Sequence, residues 1–412
     1  MENLSKKLKN LKFFGFITLI GVIALSLAAC SSPTGGDNND NSNGGPNNLG
    51  VTWTGIAGGS GTVANPETPG DSGFGTNSIS GIAYGSGMLI AVGQNGRMAY
   101  SANGTSWTGI AGGDGIGNPS NPGDSTFGTN YIYGIVYGGD KFVAVGQGGR
   151  MAYSTNGINW TGIAGAISVG DLGDSTFGTN IIRGIAYGGG RFVAVSDGGR
   201  MAYSENGTSW TGIPSEEARF SAANIQGIAY GSNKFVAVGA GGRMAYSTDG
   251  TSWTVIERGT GTGPNPPTPG DSQFGTNQIN GIAYGNGRFV AVGASGRMAY
   301  SSDGINWTGI AGGTGTGASP TVPGASGFGE NSIYGVAYGG GRFVAGGQNG
   351  RMAYSTDGIN WTGIAGGEGT GASPTVPGAS GFGENGIYGI AYGGTRFVAV
   401  GNNGRMAYSP GN

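Results

Sequence analysis

Residues 279–310 read INGIAYGNGRFVAVGASGRMAYSSDGINWTGI, and this stretch decides the fold. Ile279 to Tyr284 is a short apolar run closed by the turn residues Gly285-Asn286-Gly287. Arg288 to Val292 is a second run, and Gly293-Ala294-Ser295-Gly296 turns the chain again. Arg297 to Ser301 is a third, followed by Asp303-Gly304, a strong hairpin signal. Asn306 to Ile310 is the fourth. Four short strands with tight turns predict an antiparallel meander. Phe289 to Val292 is apolar at every position, so both faces of that strand should be buried, as in a blade packed between two others. The small residues of Gly281-Ile282-Ala283 suit an innermost strand crowded around an axis.

Near-copies of the unit run along the chain. The tryptophans are Trp53, Trp107, Trp160, Trp210, Trp253, Trp307 and Trp361, spaced by 54, 53, 50, 43, 54 and 54 residues. A period near 50 is in the range of propeller blades. The Gly-Arg-Met arginines are Arg97, Arg150, Arg200, Arg243, Arg297, Arg351 and Arg405. The first tryptophan segment has no preceding partner, and the last Arg-Met-Ala-Tyr-Ser, ending at Ser409, has no following tryptophan. An open stack gives no reason for that offset, whereas in a ring the orphan first strand completes the orphan last repeat. The expected fold is all-β: a seven-bladed β-propeller with four-stranded antiparallel blades, closed by the N-terminal strand.

Between blades lie long segments rich in Gly, Pro, Asp and Thr, such as 57–77 and 111–130. Loops of about 20 residues normally argue against an assignment inside a compact domain. Between Trp210 and Gly227 the connection is much shorter and the four strand signals survive, so the long loop is an addition to the blade.

The chain has 412 residues, 95 of them Gly, with one Cys and no His. The glycines follow no three-residue period, which excludes collagen. From Cys30 onward there are 16 basic and 21 acidic residues. No clustered basic face is evident, so nucleic acid is not an expected partner.

Lys6, Lys7, Lys9 and Lys12 precede an apolar run from Phe13 to Ala29 that ends in Leu27-Ala28-Ala29-Cys30. Basic start, apolar stretch and small residues before a cleavage point make an export signal. The single Cys at its end resembles the lipobox of bacterial lipoproteins. That resemblance implies residues 1–29 as a signal peptide, Cys30 as the lipidated N-terminus, and attachment to the cell envelope at the outer membrane or cell surface. Residues 30–50, rich in Gly, Asn and Ser, read as a flexible tether, and 51–412 as the propeller, expected to be a monomer.

Ser101-Ala-Asn103-Gly104-Thr-Ser-Trp107, with counterparts at Ser154, Ser204, Ser247, Ser301 and Ser355, resembles the Asp-box of BNR-repeat, sialidase-type propellers. The spacing is one residue shorter, and half the copies carry Asn for Asp. The resemblance implies the fold and the hairpin between third and fourth strands. A sialidase would also need an arginine triad, a Tyr–Glu pair and an acid Asp, and no Arg-Ile-Pro segment of that family is present.

With no His, and Cys30 assigned to lipid, nucleophilic triads and His-metal sites have no material. One carboxylate per Asp-box falls short of a Ca²⁺ shell; an Asx-type turn accounts for Asp249, Asp303 and Asp357. No cofactor or metal is expected. The seven Gly-Arg-Met arginines read as structural groups bonding between blades. Six cations, Lys141, Arg191, Lys234, Arg288, Arg342 and Arg396, open the second strand of a repeat, leaving Arg183, Arg219 and Arg258 outside the pattern. Glu216, Glu217 and Arg219 form a distinctive polar group on the short connection, more simply read as solvated.

Six of the long loops end in Phe-Gly-Thr-Asn or Phe-Gly-Glu-Asn. Phe74 with Asn77, Phe127 with Asn130, Phe177 with Asn180, Phe274 with Asn277, Phe328 with Asn331 and Phe382 with Asn385 should share one disc face. Aromatic–amide pairs in such an array are candidates for binding a glycan or protein partner, against the simpler reading that each Phe anchors its own loop. The expected function is a non-catalytic, membrane-anchored binding module. The alternatives are a sialidase-like glycoside hydrolase or an envelope assembly scaffold.

Overall fold

The computed structural model describes residues 49–56, 73–110, 127–163, 177–214, 220–256, 274–310, 328–364 and 382–409, together with two paired three-residue strands, Ile23–Leu25 and Ala28–Cys30. Seven four-stranded antiparallel sheets form the ring. We number the blades one to seven by their inner strands, Ile79–Gly85, Ile132–Gly138, Ile182–Gly188, Ile225–Gly231, Ile279–Gly285, Ile333–Gly339 and Ile387–Gly393. Blade five has the predicted strands: Ile279–Gly285, Arg288–Gly293, Met298–Ser301 and Thr308–Ile310. The only helical pieces among the described residues are three-residue 3₁₀ turns between second and third strands, such as Gln94–Gly96. No helix among them is long and apolar enough to cross a membrane.

The ring closes as the repeat phase requires. Thr54–Ile56 is the fourth strand of blade seven, pairing Thr54 with Tyr408 and Ile56 with Met406. Closure also completes a turn. In each intact Asp-box the serine hydroxyl accepts the glycine N–H three residues on, as in Ser101 with Gly104 at 2.8 Å. At the seam, Ser409 accepts from Gly50. Gly50 takes φ 73°, the left-handed value that Gly104 has at 75°, which a Cβ would disfavour. Its carbonyl accepts Trp53 Nε1 at 3.3 Å, as Gly104 accepts Trp107. The seventh Asp-box is therefore split between the chain ends. Leu49 and Gly50 are buried parts of the ring, so the packed ring includes two residues ahead of the boundary expected at 51.

The hydrophobic core lies between blades. Along the second strand of blade two, Phe142 and Ala144 pack back onto Ile90 and Val92 of blade one, while Val143 and Val145 pack forward onto Phe192 of blade three. Alternate side chains thus bury opposite faces, each large one contributing about 2–3 kcal/mol. Near the axis the tyrosine of each inner strand covers a glycine of the blade before it. A Cβ on Gly85 would stand 2.0 Å from Cγ of Tyr137, and Gly393 of blade seven meets Tyr84 of blade one in the same way.

Interblade polar bonds include a set the sequence reading did not assign: the cation opening the second strand reaches the next blade. Lys141 donates to the Asn206 carbonyl in the next blade and Lys234 to that of Asp303, each at 2.8 Å. Arg191 and Arg288 donate likewise to Asp249 and Asp357, and Arg342 to Leu49 of the split box at 2.8 Å. Arg97, by contrast, donates to the Gly73 carbonyl at 3.3 Å, in the segment entering its own blade. The long stem at the second-strand start reaches across to the neighbouring hairpin.

Candidate ligand site at the axial mouth

An antiparallel meander puts the Asp-boxes and the turns after the inner strands on one disc face. The connections between blades and the 3₁₀ turns lie on the other. On this second face the inner strands begin, and there each carries a bulge. Ile79 pairs with Gly93 but Gly81 pairs with Val92, leaving Ser80 extra. A bulge re-aims its extra side chain and frees it from the ladder.

That position is where the near-identical repeats part company. In blade order it holds Ser80, Tyr133, Arg183, Gln226, Asn280, Tyr334 and Tyr388, between Ile and Gly in every blade. Two residues earlier stand Ser78, Tyr131, Ile181, Asn224, Gln278, Ser332 and Gly386. The inner strands adjoin around the axis: a Cβ on Gly81 would lie 3.1 Å from the Tyr133 carbonyl, and one on Gly389 3.3 Å from that of Ser80. The seven bulged residues thus surround the axis at one face, and the paired strands Ile23–Leu25 and Ala28–Cys30 lie against the inner strands of blades one to four, six and seven.

The bulged side chains form an arc, all of them half-buried. Tyr334 and Tyr388 have ring centroids 5.4 Å apart, tilted by 56°. Tyr131 and Tyr133 stack at 5.4 Å and 16°. The Arg183 guanidinium lies 5.6 Å from the Tyr133 ring centre. Blade one fills the gap between the tyrosine pairs with Ser78 and Ser80, and the Ser78 hydroxyl donates to Asn402 Oδ1 at 3.2 Å. Burial first, then the neighbouring Tyr133 and Tyr388, raises the pKa of Tyr131, opposed by the Ser78 hydroxyl. Burial and Tyr388 raise that of Tyr334. These phenols remain neutral donors across the physiological range.

The charges are paired. Arg183 grips Asp197 by two bonds, Nε to Oδ1 and Nη2 to Oδ2, the latter at 2.9 Å. Opposite the aromatic arc, Asn280 donates to the Ile333 carbonyl and accepts from Gln278, both at 2.8 Å. The aromatic arc therefore runs from blade six round to blade two, broken by the serines of blade one. Gln226 and Asn280 line blades four and five with amides, and the rim is electrically balanced.

The expected Phe–Asn array lies on the same face but does another job. Phe74, Phe127, Phe177, Phe274, Phe328 and Phe382 are at most 1% exposed, wedged under their own turns, so their rings are not available to a ligand. Asn77, Asn130, Asn180, Asn277, Asn331 and Asn385 each turn a side-chain N–H onto the carbonyl of that Phe, at 2.9–3.1 Å. A buried loop anchor needs apolar area, and it uses the ring for that. Blade four has the same anchor without the motif: Phe220 is fully buried and accepts the Ala223 N–H at 3.0 Å.

Asp249, Asp303 and Asp357 sit on the opposite face as turn acceptors, as in Asp249 Oδ1 with the N–H groups of Thr251 and Ser252. Among the described residues no group of three acidic, His or Cys side chains could hold a metal. Glu216, Glu217, Arg219 and Arg258 lie outside the described residues. Charge alone does not point to the mouth; the signal that finds it is the position between Ile and Gly, where Ser, Tyr, Arg, Gln and Asn occur while the rest of the inner strand keeps to Ile or Val, Gly, Ala or Val, and Tyr.

No family model matches this chain, and no curated protein matches it. Solved structures do match across the ring. YCF48 from Cyanidioschyzon merolae is 16% identical with a TM-score of 0.56, over 87% of this chain and 98% of that one. YCF48 bound to D1 peptide is 15% identical at 0.52, over 82% and 93%. A catalytically inactive virginiamycin B lyase from Staphylococcus aureus, with quinupristin, is 12% identical at 0.55, over 81% and 94%. At these identities the likeness establishes the propeller fold.

Proposed function

We propose that this chain is a non-catalytic binding module, exported and lipid-anchored through Cys30, that takes its ligand at the axial mouth. One observation carries the reading. The seven blades share one frame of strands and turns, and although residues also change at the turns and strand openers, within the inner strand the change of chemical type falls at the bulge that faces the mouth. Chemically different side chains set at one rim of a shared scaffold are what a recognition site requires.

The neighbours lend support of different kinds. A YCF48 structure holds D1 peptide, so a propeller of this shape can serve a peptide ligand. The lyase is catalytically inactive when one His is replaced by Ala, and this chain has no His in 412 residues. The mouth pairs its one Arg with its one Asp and offers no pair of carboxylates for glycoside hydrolysis.

The reading is tested by two measurements. Cys30→Ser should move the protein from the membrane fraction to the soluble exported fraction, and continued anchoring sinks the lipoprotein assignment. Purified chain and its Tyr131→Ala/Tyr388→Ala variant are then applied to peptide and glycan arrays. Ligands retained by the first and lost by the second support the mouth. Turnover of a fluorogenic glycoside that disappears with the same variant overturns the non-catalytic assignment.

A further inference from the structure

Resting on the mouth as the ligand site, we propose that its ligand is the end of a neutral saccharide chain. The first argument is charge. At the bulge, the position two residues before it, and the adjoining 3₁₀ turns, the ionised groups are Arg183 and Asp197, and they neutralise each other through two bonds. An anionic sugar, an acidic peptide or a nucleic acid would need a cation not already committed, and would break this pair to obtain one.

Shape is the second argument. Four tyrosine rings stand in an arc around a closed axis, in two pairs separated by the small Ser78 and Ser80. An extended proline-rich segment needs aromatic ridges in a straight groove. Strands Ile23–Leu25 and Ala28–Cys30 lie against the inner strands around this axis; with residues 1–29 removed on export, the arc suits a compact ring inserted end-on, with the gap at blade one as its slot. A pyranose presents a face of C–H bonds to the electron-rich face of a tyrosine and a rim of hydroxyls to amides.

Chemistry of the rim is the third argument. Gln226 offers an amide donor and acceptor. Asn280, Gln278 and Asn402 add the amide N–H groups and lone pairs left over from the bonds they make to one another, to Ile333 and to Ser78, and the phenols of Tyr131 and Tyr334 stay protonated. Sugar hydroxyls are donor and acceptor at once, and this mixed, uncharged set meets both halves.

The test uses the full chain in detergent, titrated calorimetrically with chitotetraose, cellotetraose, maltotetraose and laminaritetraose, with 3′-sialyllactose and decaproline as contrasting probes. At least one neutral tetrasaccharide should bind. Tyr131→Ala and Tyr388→Ala should each weaken it about tenfold or more, Tyr131→Phe much less, and Glu205→Ala on the opposite face not at all. Because a large-to-small change can loosen a fold, each variant is melted alongside; the inference stands on variants whose Tm is unchanged and on the Phe-for-Tyr rescue. Failure of all four tetrasaccharides overturns the saccharide. Binding of decaproline or sialyllactose alone, lost in Tyr131→Ala, overturns it while leaving the mouth as the site. Saccharide binding indifferent to both tyrosine variants overturns the mouth itself.

Discussion

The backbone N–H of Gly50 donates to the hydroxyl of Ser409, 359 positions away, at 2.5 Å. This one bond stitches the two ends of the chain into a turn that six other blades form from a single continuous segment. Ser409→Ala should cost about 1 kcal/mol, the same as Ser101→Ala in an intact box. A chain begun at residue 57 lacks the fourth strand of blade seven and should lose its cooperative thermal transition. A truncated chain that melts within a few degrees of the parent, by circular dichroism, would show that the ring does not depend on its seam.

Contact between inner strands makes a sharper demand. Gly85→Ala puts a methyl into the Tyr137 ring and should destabilise by more than about 3 kcal/mol. Gly87→Ala, two residues away, has φ 77° and open space around it, so it should cost only about 1 kcal/mol of backbone strain. Chemical denaturation of the two variants separates crowding at the axis from turn preference.

Acid sensitivity should reside in the Asp-boxes. At Asp357 burial works against the charged carboxylate, but the N–H groups of Asn360 and Ile359 and the side chains of Asn360 and Ser355 outweigh it, lowering the pKa from 3.8 to about 2. Asp303 and Asp249 are lowered by equivalent donors against the same burial. A carboxyl held below its unfolded value contributes stability above that value and loses it as pH falls through the folded one. The Asp357 contribution therefore disappears between about pH 4 and pH 2. Asn replaces Asp naturally in the boxes of Asn103, Asn156 and Asn206 with the same acceptor bonds. The triple variant Asp249→Asn/Asp303→Asn/Asp357→Asn should flatten Tm against pH over that window; an unchanged profile refutes the assignment.

Blade four carries a removable strain. Ser221 takes φ 49° where the other anchor turns have a glycine, such as Gly75 at 57°. Ser221→Gly should stabilise by up to about 1 kcal/mol, read as a rise in denaturation midpoint. A fall would mean that the serine side chain makes up for its backbone.

Much of this architecture is legible in residues 279–310 and in the offset between Trp53 and Arg405, because strand period and turn chemistry are local and the offset is a matter of counting. The split Asp-box is hidden: its serine and glycine stand at opposite ends, and Leu49 replaces the Asp or Asn that marks the motif. Phe220 is hidden too, because the Ser221-Ala222-Ala223 that follows it shares none of the Gly-Thr-Asn letters, and although the Ala223 N–H still closes onto the Phe220 carbonyl, Ala222 takes φ 60° where the other turns keep a non-positive φ. Side-chain reach decides which arginines clamp the blades, and sequence carries no distance. Ser80, Tyr133, Arg183, Gln226, Asn280, Tyr334 and Tyr388 are unremarkable one by one; only their common place in the ring makes them one site.

The bulge has a consequence for inheritance. Exchanging one inner-strand start for another, at equal length, keeps the flanking Ile and Gly and changes one character among seven at the rim, whereas a whole unit lost or gained would change the circumference that Thr54–Ile56 closes.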